Sequence, residues 1–441
     1  MISLRLILLV LVTLGCRELV EGNAETAPLL ASLAAMGVSL GFGLLFKASA
    51  LHVLAGSPQP LSPACWQRCA QARTNVERAW IVALPLALLA TGWGAALNGL
   101  QEQGLPQAVS LLGWFLPSLF LIVLLELTAA QFDELYHQPP TPCDTVPYDI
   151  ALHDIQDQLN DSPATTVSWQ REWLLRLRLG DMASLVTCLT PVLAIAALTD
   201  AASYFANDVW MTRMIFTATI LALLVVVLFL PVWLGRWMGV VNLPDGELSQ
   251  RVATQMQALN IRGVRPKLVL SRGRWPGAAV VGWFPRFRQL WLGDALIERL
   301  SSRQFDMVVM HELAHIKRRH FLWRIFPVVW AASVVGLFGV FWPSDPAWEL
   351  SGSIISSIAA SVVMLAGVGV MAHACELDAD VSACALAHQA CPWAVDDSAA
   401  AARELGDALS ELMPASSSAT EATWLHPTLG QRLRNLACSP S

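Results

Sequence analysis

Residues 305–320 read Phe305-Asp306-Met307-Val308-Val309-Met310-His311-Glu312-Leu313-Ala314-His315-Ile316-Lys317-Arg318-Arg319-His320, and five residues further on an apolar run begins at Ile325. On a helix, an i, i+4 pair of histidines shares one face, so His311 and His315 can grip a single metal ion with Glu312 beside them. Ser301 and Gln304 stand at capping-box spacing and predict that the helix starts there. The run Ile325 to Trp342 is about the length of one bilayer crossing. The stretch therefore reads as a chemistry-bearing helix joined almost directly to a membrane span.

The rest of the chain supports a bilayer as its solvent. Hydrophobic residues make up 55% of the 441 and charged residues only 14%, where an ordinary soluble domain has about 25% charged. Besides Ile325 to Trp342, runs of crossing length cover Leu29 to Phe46, Trp80 to Leu97, Leu105 to Leu125, Met182 to Thr199, Met214 to Leu234 and Leu350 to Ala372. A shorter run, Leu6 to Gly15, has the length of a signal-peptide core or a short anchor. The loops alternate in charge: Arg68, Arg73 and Arg78, then Glu102, then Arg171, Arg176 and Arg178, then Asp208, and finally the acidic Asp345 and Glu349. By the positive-inside rule the basic loops face the cytoplasm. That topology predicts an integral protein of the cytoplasmic membrane, with residues 236–324 and the region after Ala372 on the cytoplasmic side.

Two parts follow: a membrane region, residues 1–235, and a domain of residues 236–441 interrupted by spans at about 325–342 and 350–372. Pro266 to Leu270, Gly277 to Phe284 and Gln289 to Leu292 read as short strands between Gly and Pro turns. The loop Gln131 to Gly180 reads as polar and irregular, and Asp396 to Thr423 as a helix followed by a linker. The expected fold class is a mainly α, polytopic membrane protein carrying a zincin-like metalloprotease domain with a small β-sheet on the cytoplasmic side. The net charge of -6 excludes a nucleic-acid partner, which needs a clustered basic excess. The nine cysteines include no CxxC pair and read as small buried hydrophobes rather than a disulfide framework.

A catalytic zinc takes three protein ligands and leaves a fourth position for water, so a third ligand must come from outside the helix. His320 is one candidate. A metzincin, however, needs glycine and histidine where this chain has Arg318 and Phe321. The other candidate is Cys375-Glu376-Leu377-Asp378-Ala379-Asp380, in which Glu376 offers the ligand and Asp380, one turn on, an acceptor for the free N–H of a ligating histidine. Asp378 points to another face and is the poorer choice.

Taken together, His311 to His315, two apolar spans, Glu376 to Asp380, and His426-Pro427-Thr428-Leu429-Gly430-Gln431-Arg432 occur in that order. This succession resembles the family of membrane zinc proteases that includes the heat-shock protease HtpX and the CAAX prenyl proteases, over roughly residues 266–436. The resemblance implies one Zn2+ per chain held by His311, His315 and Glu376, with Glu312 as general base and His426 as donor to the oxyanion. It further implies that Arg432 holds an acidic partner, Asp380, and that a substrate strand lies along Gly277, Ala278, Ala279, Val280 and Val281. The implied partners are a protein or peptide substrate and the lipid bilayer; no residue reads on the oligomeric state. Two other functions remain compatible with parts of the sequence. One is a sensor-transducer membrane metalloprotease, and the other is a non-catalytic zinc-binding membrane scaffold.

Overall fold

The computed structural model describes residues 4–20, 27–55, 63–136, 169–204, 209–271, 275–342, 346–391, 395, 397–412 and 424–437. They form two compact units, one ending at Gly239 and one beginning at Val240. The expected class is observed: the chain is mainly helical, with one small mixed sheet.

The first unit contains α1 (Leu4–Leu19), α2 (Pro28–Ala55), α3 (Pro63–Leu89), α4 (Trp93–Glu102), α5 (Gln107–Tyr136), α6 (Trp169–Leu179), α7 (Asp181–Tyr204) and α8 (Val209–Trp237). Its core is apolar and aromatic, with Trp80, Leu84, Trp114, Phe115 and Leu121 almost wholly buried. The short N-terminal run is the helix α1, and Leu6, Leu9, Val10 and Cys16 pack into that same core. Large apolar side chains elsewhere face outward, Leu29, Leu30, Val82 and Leu86 among them, as a lipid solvent allows. Two charged groups are satisfied, Glu126 buried and Asp200 half-buried. Asp200 accepts from the backbone N–H of Gln107 and Ala108 at 2.8 and 3.0 Å, capping α5. Glu126 accepts from Arg73 at 2.6 Å.

Two expectations are corrected here. Trp80 to Leu97 is not one straight crossing: α3 and α4 meet at 52°, across a break where Gly92 takes φ 73°. Gln131 to Gly180 is not irregular throughout, because α5 continues to Tyr136 and α6 is helical, while residues 137–168 lie outside the described residues. Among the described residues, four helices are long and apolar enough to cross a membrane, or five if the bent pair is counted as one span. The runs Met182 to Thr199 and Met214 to Leu234 form α7 and α8.

The second unit starts with β1 (Val240–Asn242) and α9 (Glu247–Ala258), then β2 (Arg265–Val269), β3 (Ala278–Val281) and β4 (Gln289–Gly293), then α10 (Asp294–Arg299). The sheet order is β1-β2-β4-β3, with β2 and β4 parallel and the outer pairs antiparallel. β3 is therefore an edge strand. The three expected strands fall at these positions to within a few residues; β1 and α9 were not anticipated, because Val240-Val241-Asn242 is too short to show a period.

Next come α11 (Ser302–Lys317), α12 (His320–Trp323), α13 (Phe326–Phe341), α14 (Pro346–Ala390), α15 (Ser398–Leu412) and α16 (Leu429–Ala437). The capping box forms: the Ser301 N–H donates to Gln304 Oε1 at 2.9 Å, and the Gln304 N–H donates to Ser301 Oγ at 3.4 Å. The two-sided apolar content of α11 leaves Phe305, Met307, Val309, Met310, Leu313 and Ala314 all buried. α11 packs against α14, whose buried Ala379, Ala383, Ala387 and Ala390 follow helical spacing and let the two backbones approach closely. α14 is 45 residues long, or about 67 Å at 1.5 Å per residue. The expected end of the last span at Ala372 is thus no structural boundary, since one uninterrupted helix carries both the apolar run and Glu376.

Candidate metal centre

His311 and His315 lie one turn apart on α11 and point the same way, their Nε2 atoms 3.3 Å from each other. α14 brings Glu376 opposite them. Its Oε2 is 3.5 Å from His311 Nε2 and its Oε1 is 3.4 Å from His315 Nε2. A tetrahedral ion with ligand bonds of about 2.0–2.1 Å separates its ligand atoms by roughly 3.3–3.4 Å. These three side chains are the one His, Cys, Asp or Glu group among the described residues whose ligand atoms lie close enough to share an ion.

Each imidazole is oriented from behind. His311 Nδ1 lies 2.9 Å from Asp380 Oδ1, and Asp380, fully buried, accepts from Arg432 Nε and a second guanidinium N–H at 2.8 and 2.5 Å. The proton on His311 thus sits at Nδ1, and the Nε2 lone pair is left facing the cluster. With no ion at Nε2, burial works to lower the pKa of His311, but hydrogen bonds to Asp380 and Glu376 outweigh it and raise it to about 10, so an ion bound at Nε2 takes the place of a proton there. Arg432, also buried, is kept cationic by the same Asp380 against the cost of burial.

On the other side, His315 Nδ1 is 2.8 Å from His320 Nδ1, and His320 Nε2 is 2.9 Å from Asp378 Oδ2. Arg318 donates two further bonds to Asp378, at 2.8 and 3.0 Å. One proton arrangement satisfies the chain: His320 Nε2–H donates to Asp378, His315 Nδ1–H donates to His320, and His315 Nε2 keeps its lone pair for the cluster. Two independent relays therefore leave both lone pairs aimed at one point, with a carboxylate facing them. Donor set, spacing and orientation fit a divalent metal ion.

The geometry adds a role for Asp378 that its face alone does not suggest. Its carboxylate does leave the face of Glu376, but it returns to the centre through His320, a residue weighed only as a ligand. The signal was present in two carboxylates two positions apart in Glu376 to Asp380, yet a one-dimensional reading could not show that α12 turns His320 back under His315. We expect His320→Ala to weaken metal affinity by about 10- to 100-fold, measured by competition against a chelator of known strength; unchanged affinity would show that the ring merely fills space.

Glu312 faces the sheet instead of the imidazoles' far side. Its Oε2 accepts from the Val280 backbone N–H at 3.1 Å. In an antiparallel ladder alternate residues face outward. Gly277 O pairs inward with Gly293 N–H, so Ala278 and Val280 present their backbone groups to the open edge. Within the stretch Gly277 to Val281, expected as a substrate strand, Val280 thus contacts Glu312.

His426 arrives from the C-terminal segment, with its Nδ1 3.2 Å from Glu376 Oε2. Trp424 fixes that segment: its indole N–H donates to Leu365 O on α14 at 2.9 Å. Gly369, one turn later, makes room. A Cβ there would lie 3.0 Å from Trp424 Cδ1 and Nε1 and 3.3 Å from Trp424 O. Both ring and backbone of Trp424 would have to move together, and His426 with them. Gly369→Ala is accordingly expected to lower turnover about 10- to 100-fold while metal content stays at the wild-type level, as paired assays of activity and bound metal would show. Arg324 also reaches the centre, at 3.6 Å from Glu376 Oε1; neither it nor Trp424 belongs to a motif that spacing reveals.

Comparison with known proteins agrees with the motif order. The family model described as peptidase family M48 matches residues 242–438. The crystal structure of Ste24p from S. mikatae is similar at 14% identity, with 93% of this chain and 99% of that chain covered and a TM-score of 0.43. No curated protein matches. Residues 242–438, which hold every group of the centre described above, are thus the part of the chain that matches the model of peptidase family M48.

Proposed function

We propose that this integral membrane protein is a zinc-dependent endopeptidase that hydrolyses peptide bonds of membrane or unfolded proteins at the cytoplasmic face of the cytoplasmic membrane. In this reading residues 1–235 are the membrane region and residues 236–441 the metallopeptidase domain. The observation that carries it is the convergence of His311, His315 and Glu376 at tetrahedral edge lengths, with both imidazole lone pairs aimed inward by hydrogen-bonded partners. One Zn2+ held by these residues would supply Lewis acidity, acidifying water and polarising the scissile carbonyl.

The chain's own groups do the proton work. Glu312, adjacent to His311 on α11, accepts a proton from the attacking water and returns it to the leaving amine. The Val280 N–H fixes the carboxylate rotamer for that transfer. A peptide adds to the edge of β3 through its main chain, facing Ala278 and Val280, which places a carbonyl in front of Glu312 without demanding a particular side chain. His426 is the proposed donor to the developing oxyanion. Its Nδ1 lies 3.2 Å from Glu376 Oε2, which holds the ring beside the cluster. Asp380 and Arg432 hold His311 in place behind the ion.

The test uses the full-length protein in detergent. Zinc is quantified and hydrolysis of an unfolded protein followed before chelation, after chelation and after zinc is restored. Activity should disappear and return with the metal. Stoichiometric zinc with no hydrolysis of any unfolded substrate would refute the protease and favour the scaffold.

A further inference from the structure

Immediately after the edge strand, Trp283, Phe284, Pro285 and Arg286 are all exposed, the two aromatic rings at 49% and 45%. Two large aromatics beside an arginine are unusual on a water-facing loop and are the composition of a membrane interface, where rings sit at headgroup depth and cations meet anionic lipid. The loop is also fixed in position. Arg288, nearly buried, donates to Trp283 O at 2.8 Å and to Gly282 O at 3.3 Å. Its guanidinium lies 5.2 Å from the centre of the Phe321 ring. Phe321 belongs to the first turn of the candidate span His320–Phe341. Leu322, Trp323 and Phe326, which follow it, are exposed as well, and the Trp323 and Phe326 rings pack at 5.6 Å. One guanidinium thus ties the loop to the level at which the chain passes into lipid.

We propose that the Trp283–Arg286 loop is a lipid-interface anchor, its rings seated at the boundary of headgroups and acyl chains in continuity with the start of the span. The surface it fits is the bilayer itself. Combined with the peptidase reading, on which this part rests, the anchor fixes the register of cleavage. β3 runs from Ala278 toward the loop, and Val280, bonded to Glu312, precedes Trp283 by three residues, or about 10 Å of extended chain. A peptide lying along β3 is then cut roughly three residues from the membrane surface. The substrate class this selects is a chain tethered to or emerging from the bilayer, cleaved in its membrane-proximal segment.

Photo-crosslinking of the full-length protein in phospholipid nanodiscs tests the anchor without reference to activity. Trp283→p-benzoylphenylalanine and Phe284→p-benzoylphenylalanine should give lipid adducts by mass spectrometry. Val328, exposed on α13, serves as the lipid-facing control and Asp407, exposed on α15, as the water-facing one. Adducts at 328 without any at 283 and 284 would overturn the anchor, as would adducts at 283 and 284 to protein, which would make the loop an interface with another segment or copy. The register is tested separately with Trp283→Ser/Phe284→Ser and one peptide presented on a lipid anchor or free in solution. Cleavage of the anchored form should fall about tenfold with the free form unchanged; an equal loss on both would overturn the register. If no variant and no wild-type protein hydrolyses anything, the peptidase reading has failed while the lipid adducts still decide the anchor.

Discussion

Glu312→Gln should retain zinc at the wild-type level and lose peptide hydrolysis by a factor of about 10² to 10⁴. The amide keeps the size of the side chain but cannot accept the proton of the attacking water at neutral pH. Glu312 is not among the three groups whose ligand atoms converge, so metal binding should be untouched. Its contact with the Val280 N–H can survive through the amide oxygen, which makes collapse of the edge strand a poor alternative explanation. Metal analysis and hydrolysis measured on the same preparation decide the matter. Undiminished hydrolysis would remove Glu312 as the base and with it the proposed mechanism.

The second large effect is on stability. Arg432→Met strands the Asp380 carboxylate in a site with no solvent exposure, and breaking a buried pair by removing one partner costs about 3–5 kcal/mol. For a domain of roughly 200 residues that corresponds to a fall in melting temperature of about 6–20 °C, read on the metal-free protein in detergent so that zinc binding does not mask it. The double variant Arg432→Met/Asp380→Leu should recover most of the loss, because well-packed apolar groups replace buried ion pairs at little net cost. Its zinc affinity should stay about 10- to 100-fold down, since His311 Nδ1 has lost its acceptor. If the single variant melts like the wild type, Asp380 and Arg432 are not the coupled pair that their 2.5 and 2.8 Å bonds describe.

The continuity of α14 gives these local effects a shared frame. Leu365 and Gly369, which seat Trp424, lie on the same rigid helix as Glu376 and Asp380. The helix that holds the candidate ligand is therefore also the one that positions the segment carrying His426, and part of it is long and apolar enough to cross a membrane. Pro327 at the start of α13 packs against Gly367 of this helix, so the two candidate spans meet close to the centre.

What the sequence determined by itself is what depends on local spacing. The i, i+4 histidines, the Ser301 and Gln304 cap, the apolar runs and the Glu376–Asp380 interval each have a meaning fixed by 3.6 residues per turn or by bilayer thickness, and such meanings survive in one dimension. Tertiary structure alone decided what depends on the approach of distant segments. His320 returns beneath His315, Asp378 closes the second relay 58 residues further on, and the Val280 N–H meets Glu312 across the sheet edge. Trp424 locks onto Leu365, and a single buried Arg288 ties the loop after β3 to Phe321. No periodicity encodes those contacts, because hydrogen bonds across long separations are selected by the packing of whole elements and leave no spacing behind in the chain.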